Sequence, residues 1–390
     1  LSIEGRVWLR TPEAVRVRCN EMLALAERER LRHFSLHLDR LDAVADYVAA
    51  VTRAAYPTLA VPYHSRWRHF VVGGVDRWKA VAQEAGLADP AELARARIDL
   101  CTVSVLLDAG AGPDWRFRDP VSGRDFARSE GLALASLETF RTGLFSGSGK
   151  PRADGDGLAS LSKAALGAGF QVSRDNRLVG LAGRAALLQA LGRALRGRPE
   201  LFGAEARIGR LFDFWRNCTG LSARLMLCTL LDAFAPIWPG MGDVWPHPLI
   251  GGDGMVPLHK LSQWLCYSLI EVMEDAGVRV SGIEVLTGLA EYRNGGLFND
   301  FGVLCLRDPA LARSALAVGH PAIVEWRALT VALLDRLAPL VRARLGRSEA
   351  ELPLASILQG GTWAAGRQIA RARRADGSPP IAVLSDGRVF

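Results

Sequence analysis

The stretch from Met255 to Leu329 constrains the fold most, because helical periodicity alternates there with glycine-marked turns. Leu258, Leu261, Leu265, Leu269 and Val272 recur at helical spacing and predict a helix with one buried face. Pro257 suits its first turn, where a missing N–H would be unpaired in any case. Lys260 lies about 140° around that helix from Leu265, away from the apolar stripe. Asp275-Ala276-Gly277 stops the helix, and Ser281-Gly282 turns the chain again. Two helices joined by so short a connector predict a helix-hairpin-helix arrangement. Glu291 follows Lys260 by 31 residues (291 − 260), room for one helix, the turn and the lead-in to the next. An amine and a carboxylate can therefore converge on one cleft.

The rest of the chain reads as mainly α with small β-hairpins. Thr11-Pro12-Glu13 starts the first of the helices expected between Thr11 and Ala55, and Asp89-Pro90 is a second start within the helical stretch Ala82 to Leu107. Further helices are predicted from Ser129, from the Asn176–Arg184 region, over the apolar run Phe212 to Phe234, after Asp308-Pro309 and after His320-Pro321. Alternating residues on either side of Val121-Ser122-Gly123 predict a hairpin. Trp238 to Pro248 carries three prolines and two glycines, which excludes a helix and predicts an ordered loop. Ile381 to Leu384 and Arg388 to Phe390 read as short extended runs around Asp386-Gly387. Within the glycine-rich stretch Ser146 to Gly157, Ser146 to Pro151 resembles a phosphate loop only superficially: Leu144 replaces the first glycine, and Pro151 stands where Ser or Thr would hold magnesium. A flexible connector is the expectation there. It divides an N-terminal helical half (1–150) from a C-terminal half (151–390), unless both form one integrated domain.

Composition excludes several classes. No apolar run approaches the roughly 18 residues of a membrane helix, since Leu225 to Leu231 is stopped by Asp232. Six charged residues among the first eighteen leave no hydrophobic signal region, so a cytoplasmic protein is expected. The six cysteines form no C-x-x-C pair and read as buried thiols; neither a metal nor a cofactor is called for. A net charge of +7, from 48 basic against 41 acidic residues, suits a phosphorylated ligand or simply solubility. Because the basic residues are spread along the chain, a small-molecule ligand fits better than nucleic acid.

Two aromatic clusters are candidate ligand walls. In His64-Ser65-Arg66-Trp67-Arg68-His69, the His64, Arg66 and His69 side chains could hold a phosphate or sugar, Arg offering a bidentate fork and Trp a stacking face. The alternative is a packed tryptophan with solvated arginines. Trp245 and His247, on a proline-rich frame, form either a wall for a planar ligand or a structural plug.

Leu286-Thr287-Gly288-Leu289-Ala290-Glu291-Tyr292-Arg293, followed by Val324-Glu325-Trp326-Arg327, resembles the queuosine 5′-phosphate N-ribohydrolases, whose fold is similar to helix-hairpin-helix DNA glycosylases. A closer resemblance covers nearly the whole chain. Tyr63 to Phe70, Gly242 to Pro248, Tyr292 to Gly296, Gly360 to Arg367 and Ser385 to Phe390 are similar to the uracil-catabolism family of fungi and bacteria, which belongs to a pathway degrading uracil by way of ribosylurea. The queuosine enzymes carry Asp where this chain has Glu291 and Pro-Gln where it has Gly295-Gly296, so the base pocket should differ.

The resemblance implies hydrolysis of an N-ribosyl bond. Such cleavage builds positive charge on the ribose, which a carboxylate stabilises while taking a proton from the attacking water. Glu291 is the candidate for that role, and Lys260 for holding Glu291 ionised or binding a 5′-phosphate. Tyr292, Asn294 or His247 could hydrogen-bond the leaving group, with Arg293 and Asp300 beside the cleft. Glu325 and Arg327 are expected as supporting members of the site or a buried pair, and Phe390 as a residue closing the pocket. A nucleic-acid glycosylase or binder and a non-catalytic nucleotide-binding protein of the pathway are the alternatives.

Overall fold

The computed structural model describes residues 2–384, and its architecture is mainly α. X-Pro start signals recur as helix caps. Thr11 Oγ1 accepts from the Ala14 amide ahead of Pro12–Glu27, Asp89 from Glu92 ahead of Pro90–Leu106, and His320 Nδ1 from Ala322 ahead of Pro321–Leu345. Each cap fills a donor that the first turn leaves without an intrahelical partner.

The chain divides into two compact units. One gathers the residues through His64, Asp243–Gln263 and Gly282–Leu384. Its centre is the Pro321–Leu345 helix, buried on every side from Ala322 to Leu334. Around it pack Pro12–Glu27, Leu41–Ala55 and Tyr292–Asp300, and Trp363–Arg373 packs on the last of these. Two glycines permit close approaches around the Tyr292–Asp300 helix. A Cβ on Gly295 would lie 2.8 Å from the Trp326 ring, and one on Gly366 only 2.1 Å from the Arg293 carbonyl oxygen. Short strand pairs tie the loops of this unit: Phe34–Leu36 with Leu304–Leu306 and Val244–Pro246 with Met255–Pro257, both antiparallel, and Leu316–Ala317 with Val383–Leu384, parallel.

The other unit contains Ser65–Gly242 and Trp264–Ser281. Its main helices are Pro90–Leu106, Arg128–Arg141, Leu181–Arg196 and Ala223–Ala233. The hairpin expected around Val121-Ser122-Gly123 pairs Phe117–Arg118 with Asp125–Phe126.

Three local expectations are corrected. Pro257 ends a strand rather than opening a helix; the lysine helix starts at Lys260, after His259 adopts a positive φ of 47°. The run Phe212 to Phe234 is broken into Leu211–Arg216 and Ala223–Ala233, because Gly220 turns the chain at φ 68° and Ser222 caps the second helix. The glycine-rich Ser146–Gly157 segment lies within the second unit and is an organised turn: Asp154 accepts from the amides of Gly147 (2.9 Å) and Gly157 (3.0 Å) and from the Ser146 hydroxyl (2.5 Å). The second of the two terminal extended runs lies outside the described residues.

Gly366→Ala should destabilise the protein by about 1–3 kcal/mol through overpacking. Its Cβ would push on the first turn of the Tyr292–Asp300 helix, so the urea midpoint should fall without a change in slope.

Candidate functional site

Glu291 is the N-cap of the Tyr292–Asp300 helix, with extended backbone at φ −122°, ψ 162°. Its two carboxylate oxygens accept from the Arg293 amide (2.7 Å) and the Asn294 amide (2.5 Å). The side chain is buried. Burial pushes its pKa above the ordinary 4.5, opposed by the two amide bonds and by the positive charges of Lys260 and Arg293. Lys260 and Glu291, 31 residues apart, thus act on one another in space.

A second buried carboxylate builds the frame around this pair. Asp243 accepts from the Lys260 amide at 2.9 Å, from the Trp245 indole at 2.7 Å, and from both Nη atoms of Arg327 at 2.7 and 2.8 Å. Arg327 Nε donates to the Ala290 carbonyl at 3.1 Å, immediately before Glu291. Burial alone would raise the Asp243 pKa, but the Arg327 guanidinium and the other donors outweigh it and hold the carboxyl below its ordinary value. One ion pair therefore sets the start of the lysine helix, the Trp245 ring and the backbone entering Glu291.

On the same Pro321–Leu345 helix, Glu325 is fully buried and accepts from the His33 amide at 3.1 Å. Leu249 N–H points at His247 Nδ1 (3.4 Å), which leaves the His247 proton on Nε2, 3.4 Å from Glu325 Oε1. Neither of those two buried atoms completes a hydrogen bond. The His33 ring stands 5.7 Å from that of His320, and burial lowers its pKa against the opposing pull of Glu325.

The other predicted residues are distributed as follows. Arg293 lies over the Tyr292 ring at 4.8 Å and donates to the Gly377 carbonyl at 3.0 Å. Asn294 Nδ2 donates to the Leu289 carbonyl at 3.4 Å. Asp300 forms a bidentate pair with Arg374 at 2.7 and 2.6 Å, closing the far end of the Glu291 helix. His64 meets Gln359 at 2.9 Å and the Trp363 ring at 5.7 Å. In the second unit, Arg66 is fully buried and spends its guanidinium on Ser104, Asp108 and the Ser129 carbonyl, while His69 stands edge-on to Trp264 at 5.7 Å. The solvated arginine imagined beside a packed tryptophan is therefore not Arg66. Phe390 lies outside the described residues.

Among the described residues, no cluster of three or more His, Cys, Asp or Glu side chains could hold a metal ion, and no helix is long and apolar enough to cross a membrane. Cys19, Cys101 and Cys266 are buried thiols, whose pKa values burial raises; that of Cys101 reaches about 12.

Comparison with known proteins matches residues 8–390 to a family described as "Protein of unknown function (DUF1688)". The chain belongs to the DUF1688 family. "Protein urg3" of Schizosaccharomyces pombe is 39% identical over 409 residues, covering 100% of both chains. "Uracil catabolism protein 4" of Lachancea kluyveri is 38% identical over 408 residues, covering 92% of each.

In this DUF1688 chain the structure adds residues to which sequence reasoning gave no role. Asp243 stood inside a recognised motif, and an acid in an aromatic, proline-rich loop is itself a signal, since a buried carboxylate needs a partner. That partner, Arg327, is 84 residues away. Gln359, held by Tyr56 at 3.1 Å against His64, gave no signal at all.

Arg327→Met should cost about 3–5 kcal/mol, because it strands the buried Asp243 charge. Asp243→Asn should also be destabilised at neutral pH. Since the folded-state pKa of Asp243 is depressed, its contribution is present above the ordinary value of 3.8 and is lost as pH falls toward the folded-state value. Urea titrations of wild type and Asp243→Asn should therefore begin to approach one another only as pH falls below the ordinary carboxylate value of 3.8.

Proposed function

We propose that this DUF1688 protein is an N-ribosyl hydrolase of uracil catabolism, cleaving ribosylurea or its 5′-phosphate, with Glu291 and Lys260 as the catalytic pair. The observation that carries this reading is a buried carboxylate with its pKa raised, fixed by two backbone amides and facing the field of a lysine from another helix. The name of the Lachancea kluyveri relative supports the pathway.

In the proposed reaction, the bond between the anomeric carbon and the urea nitrogen breaks as water attacks that carbon. Glu291 takes the proton of the water and offsets the charge that develops on the ribose. The leaving nitrogen gains a proton, so the products are ribose, or its 5′-phosphate, and urea. Two amide donors aim the carboxylate yet leave each oxygen further acceptor capacity, as general-base work requires. Lys260 favours the ionised form that burial disfavours. Its charge also suits a substrate carrying phosphate.

Incubation of the full chain with ribosylurea and with its 5′-phosphate should release urea; absence of urea from both would refute the hydrolase reading. Glu291→Gln should lower kcat about 10²–10⁴-fold. Because glutamine keeps only one acceptor for the two capping amides, the same variant should lose about 1–3 kcal/mol while still melting cooperatively, and a loss of kcat in the folded variant separates chemistry from fold.

The acid limb of kcat/KM should lie above pH 4.5, since the ionised base is lost as pH falls through a raised pKa. Lys260→Met removes a charge that lowers that pKa and should move the limb to higher pH. A limb that stays in place would count against the coupling.

A further inference from the structure

Asn294 occupies the third position of the helix that Glu291 caps, and no part of it is exposed. Its backbone amide donates to Glu291 Oε1 at 2.5 Å. Its side-chain nitrogen donates back to the Leu289 carbonyl at 3.4 Å, which fixes the orientation of the amide: a flip would set oxygen against oxygen. The carboxamide oxygen is consequently committed as an acceptor, and it has no hydrogen-bond partner. A buried acceptor without a donor costs about 1–3 kcal/mol, and such groups call for a specific explanation.

We infer that Asn294 Oδ1 is a specificity determinant that accepts the N–H of the leaving group's glycosidic nitrogen. The inference rests on the proposed hydrolase reading and deepens it. A ribosylated urea keeps a hydrogen on the nitrogen bonded to the anomeric carbon. The glycosidic nitrogen of a pyrimidine nucleoside is fully substituted and has none. An acceptor one turn from the base, folded back across the chain that enters Glu291, satisfies the first class and remains unpaired with the second. This is the situation in which a polar site rejects an analogue that lacks the matching donor. Because Asn294 offers an acceptor, it orients and selects the leaving group without protonating it.

The test compares ribosylurea with an analogue methylated on the glycosidic nitrogen, using the full chain and each compound also as its 5′-phosphate. Wild type should favour ribosylurea by about 100-fold or more in kcat/KM, consistent with an unpaired buried acceptor plus the bulk of the methyl group. Asn294→Ala should lose about 10- to 100-fold on ribosylurea. On the methylated analogue it should change about twofold at most, so that selectivity collapses. Equal losses on both compounds would mean a merely structural role and would overturn the inference. Calorimetric binding of ribosylurea to wild type and to Asn294→Ala provides a second readout that needs no turnover. Weaker binding by the variant, with an unchanged melting temperature, supports the assignment even if the hydrolase reading fails. Equal affinity, or no binding to either protein, refutes it.

Discussion

The ion pair between Arg327 and Asp243 is the interaction on which the candidate site depends. Removing two charges from water costs several kcal/mol each, and only near-ideal geometry compensates. Here the geometry is bidentate at 2.7 and 2.8 Å, and the remaining acceptor capacity of the carboxylate is filled by a backbone amide and an indole N–H. Such a pair adds little net stability compared with a hydrophobic replacement, but it admits few alternative arrangements. That suits its position. Through Arg327 Nε and the Lys260 amide, it connects the backbone before Glu291 to the first residue of the lysine helix.

Small residues complete the frame. The Glu291 helix can lie against Trp326 because position 295 has no side chain, and Trp363–Arg373 can meet the first turn of that helix because position 366 has none. The queuosine enzymes that this chain resembles have Pro at the place of Gly295, where packing of this kind against an indole would have to differ. The difference lies immediately beyond Asn294, on the helix that Glu291 caps.

Local signals in the sequence translated well into structure. Thr11-Pro12, Asp89-Pro90 and His320-Pro321 all open helices, because capping and proline geometry involve only neighbouring residues. Signals that compete with tertiary context did not. Pro257 was equally suited to a helix start and a strand end, and its pairing with Val244 selected the strand. The apolar run after Phe212 concealed the break at Gly220 because both pieces are apolar. At the site, the spacing of Lys260 and Glu291 in the sequence proposes the pair, and the positive charge of Lys260 acts on the Glu291 carboxyl in the fold. Asp243 could be seen only as a charge in need of a partner, and Asn294 Oδ1 could not be recognised as an unpaired acceptor without knowing where every neighbouring donor points.

Two buried carboxylates in the same unit have their pKa values displaced in opposite directions, and the difference suits the roles proposed for them. Asp243 has a guanidinium and two further donors, which hold its carboxyl below the ordinary value despite burial. Glu291 accepts from two amides and feels the positive charges of Lys260 and Arg293, yet burial prevails and its proton affinity rises. A carboxylate stabilised by everything around it makes a good anchor and a poor base, whereas one left short of stabilisation gains by taking a proton.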